Sequence, residues 1–207
     1  MFNKLISTCF ACVALAGIAA AQERLPMIPA DKLTDAQKKA LAEIHASSFS
    51  GGPLVVLLRE PKLTEQALAM ATYFRNESVL GPKLTEFVII MAARDWTQQY
   101  EWTAHYARAL QAGLKQETVN AIAEGRRPAG MSEDEEIVYD FCSELEHNKS
   151  VSDATYDRAV KKFGEQGVVT ITTLHGCYAM LAGVLNVART PVLPANAHVP
   201  QLPALLK

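Results

Sequence analysis

From residue 22 onward no stretch of this chain alternates apolar and polar residues for long, so it offers little from which to build a half-buried sheet. Helix starts and stops recur instead. Thr34-Asp-Ala-Gln37 and Ser132-Glu-Asp-Glu135 are capping boxes, in which a hydroxyl and an acid or amide three residues on satisfy two orphan N–H groups. Leu84, Phe87, Val88 and Met91 fall at i, i+3, i+4 and i+7, the apolar face of a helix ending near Arg94. Further helices are expected over 64–75, over 97–111 with Asp95 or Thr97 as cap, over 117–124, from Ser132 to about His147, and up to Gly164. The run that follows, EQGVVTITTLHGCYAMLAGVLNVA, is apolar around nearly its whole circumference and reads as a central, buried helix. GGPLVVLLREP, residues 51 to 61, is compatible with a strand or a buried helix, and the Pro-rich TPVLPANAHVPQLP should be extended. The sum is an all-α single domain of about seven or eight helices.

Composition supports one core. Over 207 residues, 49% are hydrophobic and 20% charged, and a net charge of −2 leaves no basic footprint for nucleic acid. The first residues behave differently. MFNKLISTCFACVALAGIAAAQ carries an early Lys4, an apolar run from Leu5 to Ala20 and an Ala19-x-Ala21 cleavage pattern, which together describe a secretory signal over residues 1–21. The expected mature chain begins near Gln22 and is exported, to the periplasm in a Gram-negative cell, with no membrane association after cleavage. Cys9 and Cys12 form a CxxC inside that signal and should leave with it. Cys142 and Cys177 remain, either as buried single thiols or as a pair in an oxidising compartment.

The chemistry-bearing residues gather on the 97–111 helix. Gln98, Glu101 and His105 lie at i, i+3 and i+7 on one stripe, and Glu86 on the preceding helix can point across the hairpin toward it. Trp96, Tyr100 or Trp102 would wall a common pocket. Such a group suits proton transfer, because a neighbouring carboxylate raises the pKa of an imidazole and fixes its orientation, and desolvation between aromatic rings can push a carboxyl up toward neutrality. The same Glu–His spacing on a solvated face would be worth only ~0.2–0.5 kcal/mol. Metal binding is not expected: Glu-x-x-x-His lacks the second His of the zinc protease pattern. His147 suits a helix C-terminus, His45 and His198 a surface or tail, and His175 a satisfied core position with pocket lining second. Arg59, Arg75 and Arg94 each border an apolar run, and each can hold a substrate carboxylate or a structural ion pair.

LTEFVIIMAARDWTQQYEWTAHYARALQAGL resembles the core of the carboxymuconolactone decarboxylase family, the superfamily that includes alkyl hydroperoxidase D-type proteins. PLVVLLREP before it, and AIAEGRRPAGMSEDEEIVYDF and FGEQGVVTITTLHGCYAMLAGVLNVA after it, extend the resemblance over about residues 50 to 190. It leaves residues 22–49 as an N-terminal helical extension and 191–207 as a tail. The resemblance implies an all-α fold with a core helix hairpin, assembled as a homo-oligomer, a trimer or hexamer. The family's thiol branch carries Glu, then Cys-x-x-Cys-x-x-x-His; on this chain those positions are Glu86, Gln98, Glu101 and His105, so both thiols are missing and a peroxiredoxin-type antioxidant role is disfavoured. What it implies instead is a cofactor-free acid–base enzyme, decarboxylase- or lyase-like, on a small carboxylated lactone or related cyclic compound. His105 would move the proton, Glu101 orient or relay it and Glu86 support, with Gln98, Trp102, Arg94 and Trp96 as substrate-binding residues. The alternative is a non-catalytic small-molecule-binding or assembly protein on the same fold.

Overall fold

A computed structural model describes residues 22–204 except 48 and 50, so the expected signal segment with Cys9 and Cys12 lies outside the described residues. The described residues form eight α-helices: α1 (Asp35–Ala46), α2 (Pro53–Leu57), α3 (Pro61–Glu77), α4 (Gly81–Asp95), α5 (Gln99–Gln111), α6 (Gln116–Ala123), α7 (Glu133–Asn148) and α8 (Asp153–Ala188). Two short 3-10 turns, Ala30–Lys32 and Pro194–Asn196, complete them, and no strand occurs among these residues. The expected all-α architecture is what the chain adopts.

Local signals set most boundaries. Both capping boxes form, with Thr34 and Ser132 each accepting from the backbone three residues on while Gln37 and Glu135 bond back. Pro53 and Pro61 stand in the first turns of α2 and α3, where a missing N–H costs nothing. Within 51–61, Pro53–Leu57 is helix rather than strand, and α3 starts three residues before Thr64. Gly164 (φ 68°, ψ 175°) breaks α8 where the sequence pattern ends one helix and starts another.

Packing departs from the sequence expectation in one respect. The helix expected to be amphipathic, α4, is the central one: every residue from Phe87 to Arg94 is buried, against α5, α7 and α8. The helix expected to be buried all round, the second part of α8, leaves Val169, Met180 and Val187 exposed. By length and composition α8 could cross a membrane, but half of its most apolar window is buried inside the protein. With α5, α7 and α8 packed around it, α4 has no solvent side left over residues 87–94. Phe87, Val88, Ile90, Trp102, Phe141, Ile171 and Leu174 are among the large buried side chains of the core.

The Pro-rich tail is not a loose end. Trp102 Nε1 donates to Pro200 O at 2.9 Å, Gln99 exchanges two bonds with Leu202 at 2.9 Å, and Arg94 donates to Pro203 O at 2.7 Å. Val199 and Leu202 are buried beneath. The segment is a strap across the α4–α5 corner.

Candidate active site

The α4–α5 turn places the site. Thr97 takes a left-handed φ of 47°, unusual for a β-branched residue, and its hydroxyl accepts from Arg94 Nη2 at 3.0 Å. Because Thr97 closes α4 in that conformation, neither it nor Asp95 caps α5. Gln98 does so: its Oε1 accepts from the Tyr100 and Glu101 N–H groups and its Nε2 donates to Asn186 Oδ1 at 3.0 Å. The cap fixes the rotation of α5, which turns Glu101 and His105 inward, 3% and 4% exposed.

His105 sits between two carboxyl groups. Its Nδ1 is 2.7 Å from Glu86 Oε2 on α4, and its Nε2 is 3.6 Å from Glu101 Oε2. The first is a hydrogen bond and the second is too long for one. With Glu86 accepting, Nδ1 donates to it and Nε2 faces Glu101. The Tyr178 ring meets the imidazole edge-on at 5.2 Å.

These groups wall a cavity of about 420 Å³, a volume suited to a small molecule. Glu101, His105 and Tyr178 share its wall with Tyr100, Arg75 and Arg108, while Phe49, Pro53, Leu54 and Leu181 supply apolar surface. The strap closes another side with Leu193, Asn196, His198 and Val199. Burial pushes the Glu101 carboxyl above the ordinary glutamate range; His105, Arg108 and Arg75 pull it back, and Glu86 adds to the rise. Its Oε1 has no hydrogen-bond partner in the protein. A buried carboxyl oxygen left in that state at a cavity wall is what a ligand or ordered water would complete.

Burial likewise raises the Tyr178 hydroxyl, with Glu101 and Glu86 adding to it, and raises Tyr100 to about 12. Cys177 is held up at about 11 by burial and by Glu101, and burial raises Cys142 further still. Both thiols are free and buried, so the pairing left open by the sequence is absent.

Of the residues the sequence singles out, the structure brings Glu86, Glu101 and His105 together. It takes the four expected substrate-binding residues elsewhere. Gln98 is spent as cap. Trp102 is 1% exposed with its indole N–H bound to the strap. Arg94 is buried and donates to Ala123 O, Pro203 O and Thr97. Trp96 is 43% exposed and covers Gly183, where a Cβ would lie 3.4 Å from its ring. The sequence placed these residues near the hairpin but did not show the partners that claim them. His175 is a core histidine, its Nε2 3.1 Å from Asp95 Oδ2. Ligand atoms of Asp95, Glu146 and His175 lie within 4.8 Å of one another, the one grouping among the described residues with metal-ligand spacing, and it stands apart from the cavity lining. Missed by the sequence reading were Arg108, three residues beyond His105 on the same helix face, and His198 on the strap.

No family model matches the sequence, and no curated protein does. Among solved structures, the chain is similar to a protein of unknown function from Agrobacterium tumefaciens, described as a candidate antioxidant defence protein AhpD. The TM-score is 0.59 at 14% identity, over 66% of this chain and 94% of that one. The fold is therefore AhpD-like.

Proposed function

We propose that the protein is a cofactor-free acid–base enzyme, decarboxylase- or isomerase-like, acting on a small carboxylated lactone or a related cyclic compound. One observation carries this reading: Glu86 orients His105, His105 faces Glu101, and Glu101 is kept protonatable by burial at the wall of a small-molecule cavity. In a decarboxylation the C–CO₂⁻ bond breaks, CO₂ departs, and the electron pair left on the ring carbon takes a proton. Glu101 supplies that proton, and His105 Nε2 restores it from solvent. A double-bond shift uses the same groups in succession, removing a proton from one ring carbon and returning one to another.

A dithiol peroxidase fits this site poorly. Gln98 and Glu101 stand where thiols would be needed, and the thiols among the described residues, Cys142 and Cys177, are buried with their ionisation suppressed.

The test is a screen of the purified protein against carboxylated γ-lactones, following CO₂ release and ring absorbance, with His105→Ala and Glu101→Gln alongside. Turnover that falls by roughly 10²- to 10⁴-fold in both variants is expected. Undiminished turnover in the variants would remove the relay from the mechanism. No turnover, with a lactone raising the melting temperature of all three proteins equally, would replace catalysis with binding.

A further inference from the structure

Three arginines were open as carboxylate holders on sequence grounds, and the structure separates them. Neither Arg59 nor Arg94 lines the cavity. Arg75 alone of the three reaches the cavity, where Arg108 joins it from α5. We propose that Arg75 and Arg108 form a carboxylate-binding subsite of this cavity, holding the anionic end of the ligand while its carbonyl or ring carbon meets Glu101. The far end of the ligand rests on the acid–base reading above; the anion subsite does not.

Three observations support the pair. The first is placement. Arg75 comes from α3 with its guanidinium stacked 3.7 Å above the Phe49 ring, which orients it before any ligand arrives. Arg108 comes from α5, on the face that carries Glu101 and His105.

The second is charge. Burial, and then the Arg108 guanidinium, disfavour the charge on Arg75. The acids beside them are otherwise engaged: Glu86 bonds His105, and burial keeps Glu101 toward its neutral form. The cavity is thus net positive, and an anion with two or more oxygens can accept from both planar forks.

The third is the orphan Oε1 of Glu101, itself 3% exposed, which calls for a hydrogen-bonding group from whatever fills the cavity. The apolar wall of Pro53, Leu54 and Leu181 between these polar ends suits a small ring. A compact inorganic anion would satisfy the arginines and leave both the wall and Glu101 without a partner, so the arrangement points to a carboxylated ring compound.

Calorimetric titration tests this without requiring turnover. The probes are γ-butyrolactone-γ-carboxylate, its uncharged carboxamide and inorganic phosphate, against the wild type, Arg108→Met and Glu101→Gln. Arg108 is exposed, so its substitution leaves the fold intact. The carboxylate should bind at least roughly tenfold more tightly than the carboxamide. Arg108→Met should remove that preference, and Arg108→Lys should restore part of it. Raising the salt concentration should weaken the carboxylate alone. Equal binding of the two lactones, no measurable binding of either, a preference that survives Arg108→Met, or phosphate binding as tightly as the carboxylate would each overturn the proposal. An Arg108-dependent preference without turnover would keep the subsite and sink the acid–base reading. Turnover without the preference would do the reverse.

Discussion

His105 makes its hydrogen bond to Glu86 on the neighbouring helix, at 2.7 Å, and not to Glu101, four residues before it on its own helix, at 3.6 Å. The helical i,i+4 relation therefore does not make this a self-contained pair. It leaves Glu101 unbonded and available to a ligand. If the division of labour is as proposed, Glu86→Gln keeps an acceptor at Nδ1 but loses the charge that stabilises an imidazolium. Turnover on the lactone substrate should fall roughly tenfold or more, less than in His105→Ala. Equal losses in the two variants, measured as kcat, would mean that Glu86 is indispensable in its own right.

Glu101 should weaken the fold as pH rises. Its carboxyl is held above the range it has in the unfolded chain, so the folded state binds its proton more tightly. The stability this confers is full below the unfolded value, near pH ~4.3, and is lost as pH rises through the folded one. One such group contributes a slope of at most about 1.4 kcal/mol per pH unit. Glu101→Gln, which mimics the neutral acid, should flatten denaturant-derived stability against pH in that window and be the more stable protein at the alkaline end. Parallel curves for the two proteins would contradict a raised Glu101.

The strap should open when Gln99 is shortened. Gln99→Ala removes both bonds to Leu202, each worth about 0.5–1.5 kcal/mol. Exchange of the Leu202 amide should accelerate roughly tenfold or more while core amides of α4 keep their protection. Lactone binding should weaken as well, since strap residues wall the cavity. Unchanged exchange at Leu202 would show that burial of Val199 and Leu202 alone holds the strap.

Two glycines should respond in opposite directions to alanine. Gly52 has φ 66° and ψ −136°, and an added Cβ would meet the Tyr100 ring at 2.7 Å. Gly52→Ala should cost about 2 kcal/mol or more and disturb Tyr100 at the cavity wall. Gly176 is helical with open space around it, so Gly176→Ala should stabilise by about 0.5–1 kcal/mol. Thermal melts of the two variants decide both.

Alkylation should report the two thiols of the fold as inert. Cys142 and Cys177 are buried, and Cys177 ionises only at about 11. Iodoacetamide at pH ~8 should label neither in the native protein within minutes, and both at once in denaturant, read by peptide mass. Rapid native labelling of Cys177 would reopen thiol chemistry beside Glu101.

Much of this molecule was legible along the chain. The capping boxes at Thr34 and Ser132, the break at Gly164 and the spacing of Glu101 and His105 act within a few residues, so composition and period suffice to find them. The glutamine at 98 was legible as a member of the stripe but not as a cap, because that role depends on Thr97 turning left-handed to close α4.

What the tertiary structure decided are the long-range pairings. Arg94 meets Pro203 across 109 residues and Trp102 meets Pro200 across 98, and these bonds removed both side chains from the site. The same packing brought Arg75 of α3 beside Arg108 of α5 and lent the strap's His198 to the cavity. A side chain's period fixes the face of a helix it occupies. Which element that face meets depends on how eight helices fill one core, and no local signal in the sequence carries that information.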